Sequence, residues 1–321
     1  MSEETSLVPH ESPAEPESLA LYRAPRIGGS ARSRMRTMVL ISGSVGIGIG
    51  AALGVIGLPA AAVLALGLAS GQVLAQAMHQ NRLGQDVMGG IAGGDLPRAL
   101  KAAEKALQES PSGAMRTLAS ANLASVLMQM DRLEEGIEVL DAHRPTWLQV
   151  PTSSVLWLNN RAFGALVMHH QAELAGALLD EAESKLKKVG PRGFGGAHNQ
   201  RKIASAVAGT RALQCLDAGN AREALAQLDY AYTLDDGMGS SFRTAERELC
   251  RAESLRRLGR RDESLLTVAA LADKATTERQ AQRLDLLEER LGVPSTRAQR
   301  DAAQRRKEEE DAGHERDGFL A

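Results

Sequence analysis

The chain has 321 residues, 43% apolar but only 3% aromatic, with 38 basic against 40 acidic side chains and a formal charge of −2. That apolar share can build a packed interior, and a chain rich in alanine and leucine but poor in aromatic residues favours helices over strands. Near-neutrality excludes the basic field that a nucleic acid or another polyanion would need.

Residues 1–36 combine Pro9, Pro13 and Pro16 with five glutamates, then Arg23, Arg26, Arg32, Arg34 and Arg36. They show no apolar period and are expected to form a disordered tail. Residues 37–78 follow without one charged side chain. A helix of that length would span about 63 Å, roughly twice the ~30 Å hydrocarbon core of a bilayer. Gly57-Leu58-Pro59 divides the run into Thr37 to Ile56 and Ala60 to Met78, each long enough for one crossing, so a two-helix transmembrane hairpin is predicted. Two other readings compete. Ala75-Gln76-Ala77 resembles the cleavage site of a secretory signal, although the polar leader is too long for one, and Gln72 and Gln76 suit a single tilted span with an interfacial flank. Arginines before Thr37, and Arg82, Arg98 and Lys101 after Met78, hold both flanks of a hairpin on the cytoplasmic side. The later domain is therefore expected in the cytoplasm, whereas a single span would export it.

Within the first span Gly46, Gly50 and Gly54 recur every four residues and form a face without side chains, and Ala61, Ala65 and Ala69 offer a matching face on the second. Such faces suit packing inside the hairpin, or against a second copy in a homo-oligomer joined through the membrane segment. Val39 to Gly48 superficially resembles a nucleotide-binding turn. Only two residues separate Gly43 from Gly46, however, and no acidic residue follows at the expected distance.

From residue 79 the helical period returns with a longer one superimposed. Gly94, Ala99, Ala103, Ala106 and Pro111 are separated by 5, 4, 3 and 5 residues. The frame recurs at Asp131, Gly136, Leu140 and His143; at His170, Ala175, Leu179 and Ala182; at Gly219, Ala224, Leu228 and Ala231; and at Gly259, Ser264, Val268 and Leu271. A small and an apolar residue precede the turn position by seven and four places, as at Ala124 and Leu127, Ala212 and Cys215, and Ala252 and Leu255. Each unit therefore reads as helix, tight turn, helix. Over residues 80 to about 278 this frame resembles the tetratricopeptide repeat family, most closely in Gly94-Asp95-Leu96-Pro97-Arg98-Ala99-Leu100 and Gly219-Asn220-Ala221-Arg222-Glu223-Ala224-Leu225. The resemblance implies an all-α solenoid of helical hairpins, with small residues where two helices cross and glycine favoured at the turn. The array is degenerate. The family's early tryptophan and its tyrosine are replaced, the closing proline occurs only as Pro111, and units lie 37 to 49 residues apart.

Gly84, Gly89, Gly90, Gly93 and Gly94 crowd the first unit at about 1 kcal/mol each relative to alanine, so its first helix is expected to fray or hinge. Gly190 to Gly196 lacks the lysine and hydroxyl that follow a P-loop and reads as a connector. Ala281, Leu284, Leu287 and Leu291 form a last apolar stripe, as a terminal capping helix should. The expected organisation is a tail over 1–36, a membrane hairpin over 37–78, a solenoid with its cap over 79–291, and a charged tail over 292–321.

The resemblance further implies that the first helices of successive repeats line a groove, into which Met88, Ile91, Met128, Trp157, Asn160, Val167, Leu213 and Leu216 would project. Chaperone-binding members clamp a terminal carboxylate with lysines and asparagines, but matching positions here carry Ser125, Gly164 and Leu213. The expected ligand is thus an apolar helix or extended peptide, with no preference for an acidic C-terminal tail. The alternative is that these residues pack against neighbouring helices. Motifs for chemistry are sparse. His169, His170 and Glu173 have metal-like spacing without an HExxH pattern, Asp235-Asp236-Gly237 lacks the acidic ladder of a calcium loop, and Cys215 and Cys250 fall in amphipathic stretches as core filling. No catalytic, cofactor-binding or metal-binding residue is assigned. The sequence reads as a membrane-anchored, non-catalytic adaptor for a protein or peptide partner, with a secretion or assembly subunit as a special case. An enzyme with a site assembled from scattered residues is the alternative.

Overall fold

A computed structural model describes residues 75–76, 78–110, 113–145, 151–191, 196–235, 240–271, 274 and 277–295. The glycine face at Gly46, Gly50 and Gly54, the N-terminal tail, the C-terminal tail beyond 295 and the expected hairpin except its last few residues lie outside them. No helix among the described residues is long and apolar enough to cross a membrane.

The described chain is all-α, with eleven helices and no strand. Helix α1 covers 78–92. It is followed by α2 (Leu96–Glu109), α3 (Gly113–Gln129), α4 (Leu133–Ala142), α5 (Pro151–His169), α6 (Ala172–Lys188), α7 (Ala197–Asp217), α8 (Ala221–Leu234), α9 (Ser241–Arg257), α10 (Arg261–Leu271) and α11 (Glu278–Leu291).

Local chemistry explains where these helices stop. Gly94, Asp131, His170, Gly219 and Gly259, which open the five copies of the sequence frame, all have positive φ, between 49° and 86°. At four of them the chain closes a Schellman motif: the amide after the turn residue donates to a carbonyl five residues back, as Asp95 N does to Gly90 O at 2.8 Å and Asn220 N to Cys215 O at 2.8 Å. The next helix then starts on a side-chain cap where the sequence supplies one. Asp95 accepts from Arg98 N and Asn220 from Glu223 N, and Ser240 and Thr277 do the same for α9 and α11.

Packing follows a two-row scheme. The helices preceding each turn (α3, α5, α7, α9) pack against one another in series and are joined by α11, while α2, α4, α6, α8 and α10 each pack on their own partner and, where the next unit begins with a helix of the inner row, on that neighbour too. The second-row helices therefore bury one stripe, Ala99, Ala103 and Ala106 on α2 or Ala175, Leu179 and Ala182 on α6. The first-row helices are buried nearly all round, so α3 hides Thr117, Ala119, Ala121, Leu123, Val126 and Met128 alike. The largest hydrophobic cluster spans α3 to α7, from Ala121 and Leu140 to Leu179 and Val207.

The glycine-rich first helix is continuous from 78 to 92 rather than broken. A Cβ at Gly90 would lie 2.9 Å from both Ala99 Cβ and Ala99 N. The residue that weakens α1 intrinsically is thus the one that lets α2 approach it, and packing outweighs propensity.

Candidate functional site

The inner row closes around a cavity of about 90 Å³. Four helices build it, each with one face: Ser125, Met128 and Gln129 from α3; Asn159, Asn160 and Phe163 from α5; Ala206, Gly209, Thr210 and Leu213 from α7; and Phe242, Arg243, Glu246 and Arg247 from α9. Spacings of three and four residues align those side chains along each helix. The row curls tightly. Phe163 and Phe242 sit on helices separated in sequence by α6, α7 and α8, yet their rings meet edge-on with centroids 6.1 Å apart.

The first turn of α11 covers that aromatic pair. Arg279 lies over Phe163 at 5.7 Å and over Phe242 at 6.0 Å. Its backbone N–H donates to Asp131 Oδ2 at 2.9 Å and its Nε to Oδ1 at 3.2 Å, joining residues 148 positions apart, while Nη2 donates to Glu246 Oε1 at 3.0 Å. Glu246 also accepts from Arg283 at 2.6 Å and from the Gln280 amide at 3.0 Å. Burial alone would raise its carboxyl, but Arg283, Arg279 and Gln280 outweigh that and hold it below the ordinary range.

Arg247 is only 4% exposed. It donates from Nη1 to Asp235 at 2.6 Å and from Nη2 to the Ser205 carbonyl and hydroxyl at 2.9 and 2.7 Å, but its buried Nε has no acceptor. A Cβ at Gly209 would lie 3.0 Å from that Nε, so glycine is what lets the guanidinium rest against α7. One turn earlier, Arg243 forms no salt bridge or side-chain hydrogen bond with any described residue. Burial and the neighbouring Arg247 charge depress its guanidinium, offset in part by Asp235. Asn159 completes the set, with its Oδ1 buried and without a donor.

The residues singled out from the sequence divide between this cavity and the core. Met128, Asn160 and Leu213 line the cavity, and Asn160 Nδ2 donates to Ala121 O at 2.8 Å. Trp157 is buried with its indole donating to Leu140 O at 2.7 Å, and Leu216 is buried in a cluster with Ala224 and Leu228. Val167 packs against the main cluster, Ile91 packs against the Val87–Ala99 cluster, and Met88 is exposed. Sequence reasoning passed over Arg243, Arg247 and Arg279, because charged residues on a helix read as a solvated face. No local signal marked them: Glu246 stands three residues after Arg243, where helical spacing would pair the two, and only the tertiary structure commits it to Arg279, Gln280 and Arg283.

A wider cleft of about 740 Å³ lies between α8, α9 and α10, floored by Leu225, Leu255 and Leu258, with Leu266 exposed and an Arg251–Asp229 ion pair of 2.5 Å beside it. His170 pairs with Asp217 at 3.2 Å, and among the described residues no group of three His, Cys, Asp or Glu side chains is placed to hold a metal ion. Cys215 and Cys250 are buried thiols, and burial pushes Cys250 up to about 12. Part of the Gly190 to Gly196 connector lies outside the described residues. In comparisons with protein-family models, curated proteins and solved structures, nothing matches this chain.

Proposed function

We propose that the chain is a non-catalytic, tetratricopeptide-like adaptor, anchored to a membrane by the apolar run 37–78, that binds a protein partner through its inner helical row. The observation that carries this reading is the cavity itself: four successive first-row helices present Met128, Asn160, Leu213 and their neighbours to one space that the protein leaves unfilled. Its size suits a side chain of a partner rather than a whole helix, so an extended segment anchored by one residue is the ligand form that fits. The unbroken apolar run supports the anchor, and basic residues on both flanks support a cytoplasmic domain.

Affinity capture of tagged full-length protein from detergent-solubilised membranes should return a stoichiometric partner, and Leu213→Lys should lose it while remaining folded. Repeated captures without any partner would remove the support for an adaptor. A reporter fused after Ala321 and active only outside the cytoplasm should stay silent; activity would mean a single crossing.

A further inference from the structure

We propose that α11 is a clasp that holds the inner row closed, and that the cavity takes up a ligand side chain when the clasp releases. In a stacked array each unit packs on its neighbours, and the apolar clusters keep to that rule: one runs from α3 to α7, one from α7 to α9 and one from α9 to α11. Among the described residues no such cluster joins α3 or α4 to α9, α10 or α11. The contact that does join them is polar. Asp131, in the turn after α3, accepts from Arg279 N at 2.9 Å and from its Nε at 3.2 Å, so a carboxylate of the second unit caps the first turn of the last helix. The same guanidinium lies on Phe163 and Phe242 and donates to Glu246, and those three residues line the cavity. Parting α11 from α3 therefore releases two aromatic rings that form part of its wall.

The turn residue points the same way. Gly94, Gly219 and Gly259 hold the turn position in three other units, at φ of 73°, 86° and 76°, whereas Asp131 holds it at φ 63° with a side chain. An L-residue is strained there and glycine is not; the bonds to Arg279 give a carboxylate a use in that place. The contact is also of a kind that opens. Asp131 is 27% exposed and Arg279 15%, so water can replace each partner, whereas parting a buried apolar seam would hydrate it. Closed, the cavity of about 90 Å³ holds roughly six waters at ~15 Å³ each, room for a side chain but not for the backbone that carries it. A ligand that enters only the open row has its apparent affinity reduced by the closed fraction, so the clasp sets how strongly the row engages. That regulatory role rests on the adaptor reading; the opening itself does not.

The test follows thiol labelling of the full chain in detergent with N-ethylmaleimide. Thr210→Cys puts a near-isosteric thiol on α7, where Thr210 lines the cavity and is 6% exposed, and the buried Cys215 and Cys250 of the same sample reveal global unfolding. Leu213→Cys, on the same wall, replaces it if Thr210→Cys does not fold. In that background Asp131→Gly keeps a residue at ease in the left-handed turn and removes the carboxylate. It should speed labelling at position 210 at least about tenfold, the scale of one lost charge-assisted bond, while Cys215 and Cys250 stay unlabelled. Arg279→Gln should do the same. About 0.5 M sodium chloride should speed labelling with the clasp intact but not in either variant, because it screens a partly exposed pair that only the former retains. Unchanged labelling at position 210 in both variants would overturn the clasp. Acceleration of all three thiols together would reduce it to a contact for stability and overturn it too. Capture of a partner should increase with Asp131→Gly; equal capture despite faster labelling would overturn the regulatory role. Faster labelling with no partner captured from either protein would sink the adaptor reading alone and leave the clasp standing.

Discussion

Arg279→Ala removes the clasp that joins the cap helix to the turn between α3 and α4. Two charge-assisted contacts go, to Asp131 at 3.2 Å and to Glu246 at 3.0 Å, together with the stacking over Phe163 and Phe242. Each such bond contributes about 1.5–3 kcal/mol and the cation–π contact about 0.5–1. Several terms reduce the total. Glu246 retains Arg283 and Gln280, Asp131 is 27% exposed and regains water, and Arg279 Nη1 is already buried without an acceptor. The expected loss is therefore about 2 kcal/mol rather than the sum. Asp131→Asn keeps a residue that tolerates the left-handed backbone and so isolates the charge. Urea unfolding of the single and double variants, followed by far-UV circular dichroism, should give a coupling of about 1 kcal/mol between residues 131 and 279. Hydrogen exchange in the first turn of α11 should rise in the same variants. A coupling within about 0.3 kcal/mol of zero, the usual noise of additivity, would mean that the clasp is open in solution.

Acid should destabilise the protein in part through Glu246, alongside Glu253, whose carboxyl, despite partial burial, Arg256 and Arg257 also hold below the ordinary range. The folded pKa of Glu246 is depressed, so the unfolded chain takes up the proton first; the stability it contributes is present above about pH 4.3 and is lost as pH falls through the folded value. Glu246→Gln should flatten that acid limb, and an unchanged limb would locate the titration elsewhere. His170 is an exposed non-glycine residue at φ 49°, so His170→Gly should raise stability by about 0.5 kcal/mol in the same urea assay, strain relief exceeding the added chain entropy. Gly164→Ala puts a Cβ 2.0 Å from Ile137 Cδ1 and should cost about 1–3 kcal/mol by overpacking; an additional Ile137→Val should restore part of it. Cys215 and Cys250 should resist thiol reagents in the folded protein and react together on unfolding.

The repeat frame was legible because its causes are local. A turn residue at positive φ, a cap at the very next residue, and small side chains at fixed offsets are set by the few residues around them, and positions such as Ala99, Ala175 and Ser264 are buried as that frame requires. Groove and core were harder to separate. Trp157 and Asn160 lie one helical turn apart on α5, yet one packs inside with its indole on Leu140 and the other faces the cavity. Periodicity shows that a first-row helix is buried on most sides but does not show which side faces the cavity, because that depends on the rotation of each hairpin against the next.

By itself the sequence determined the helical class, the turn positions, the apolar run 37–78 and the last capping stripe, since each follows from neighbours within a few turns. Only the tertiary structure decided that Asp131 meets Arg279 and that Arg243 pairs with no carboxylate among the described residues. Those outcomes sum small angles over several hairpins, and no window of sequence as short as a helix carries that sum.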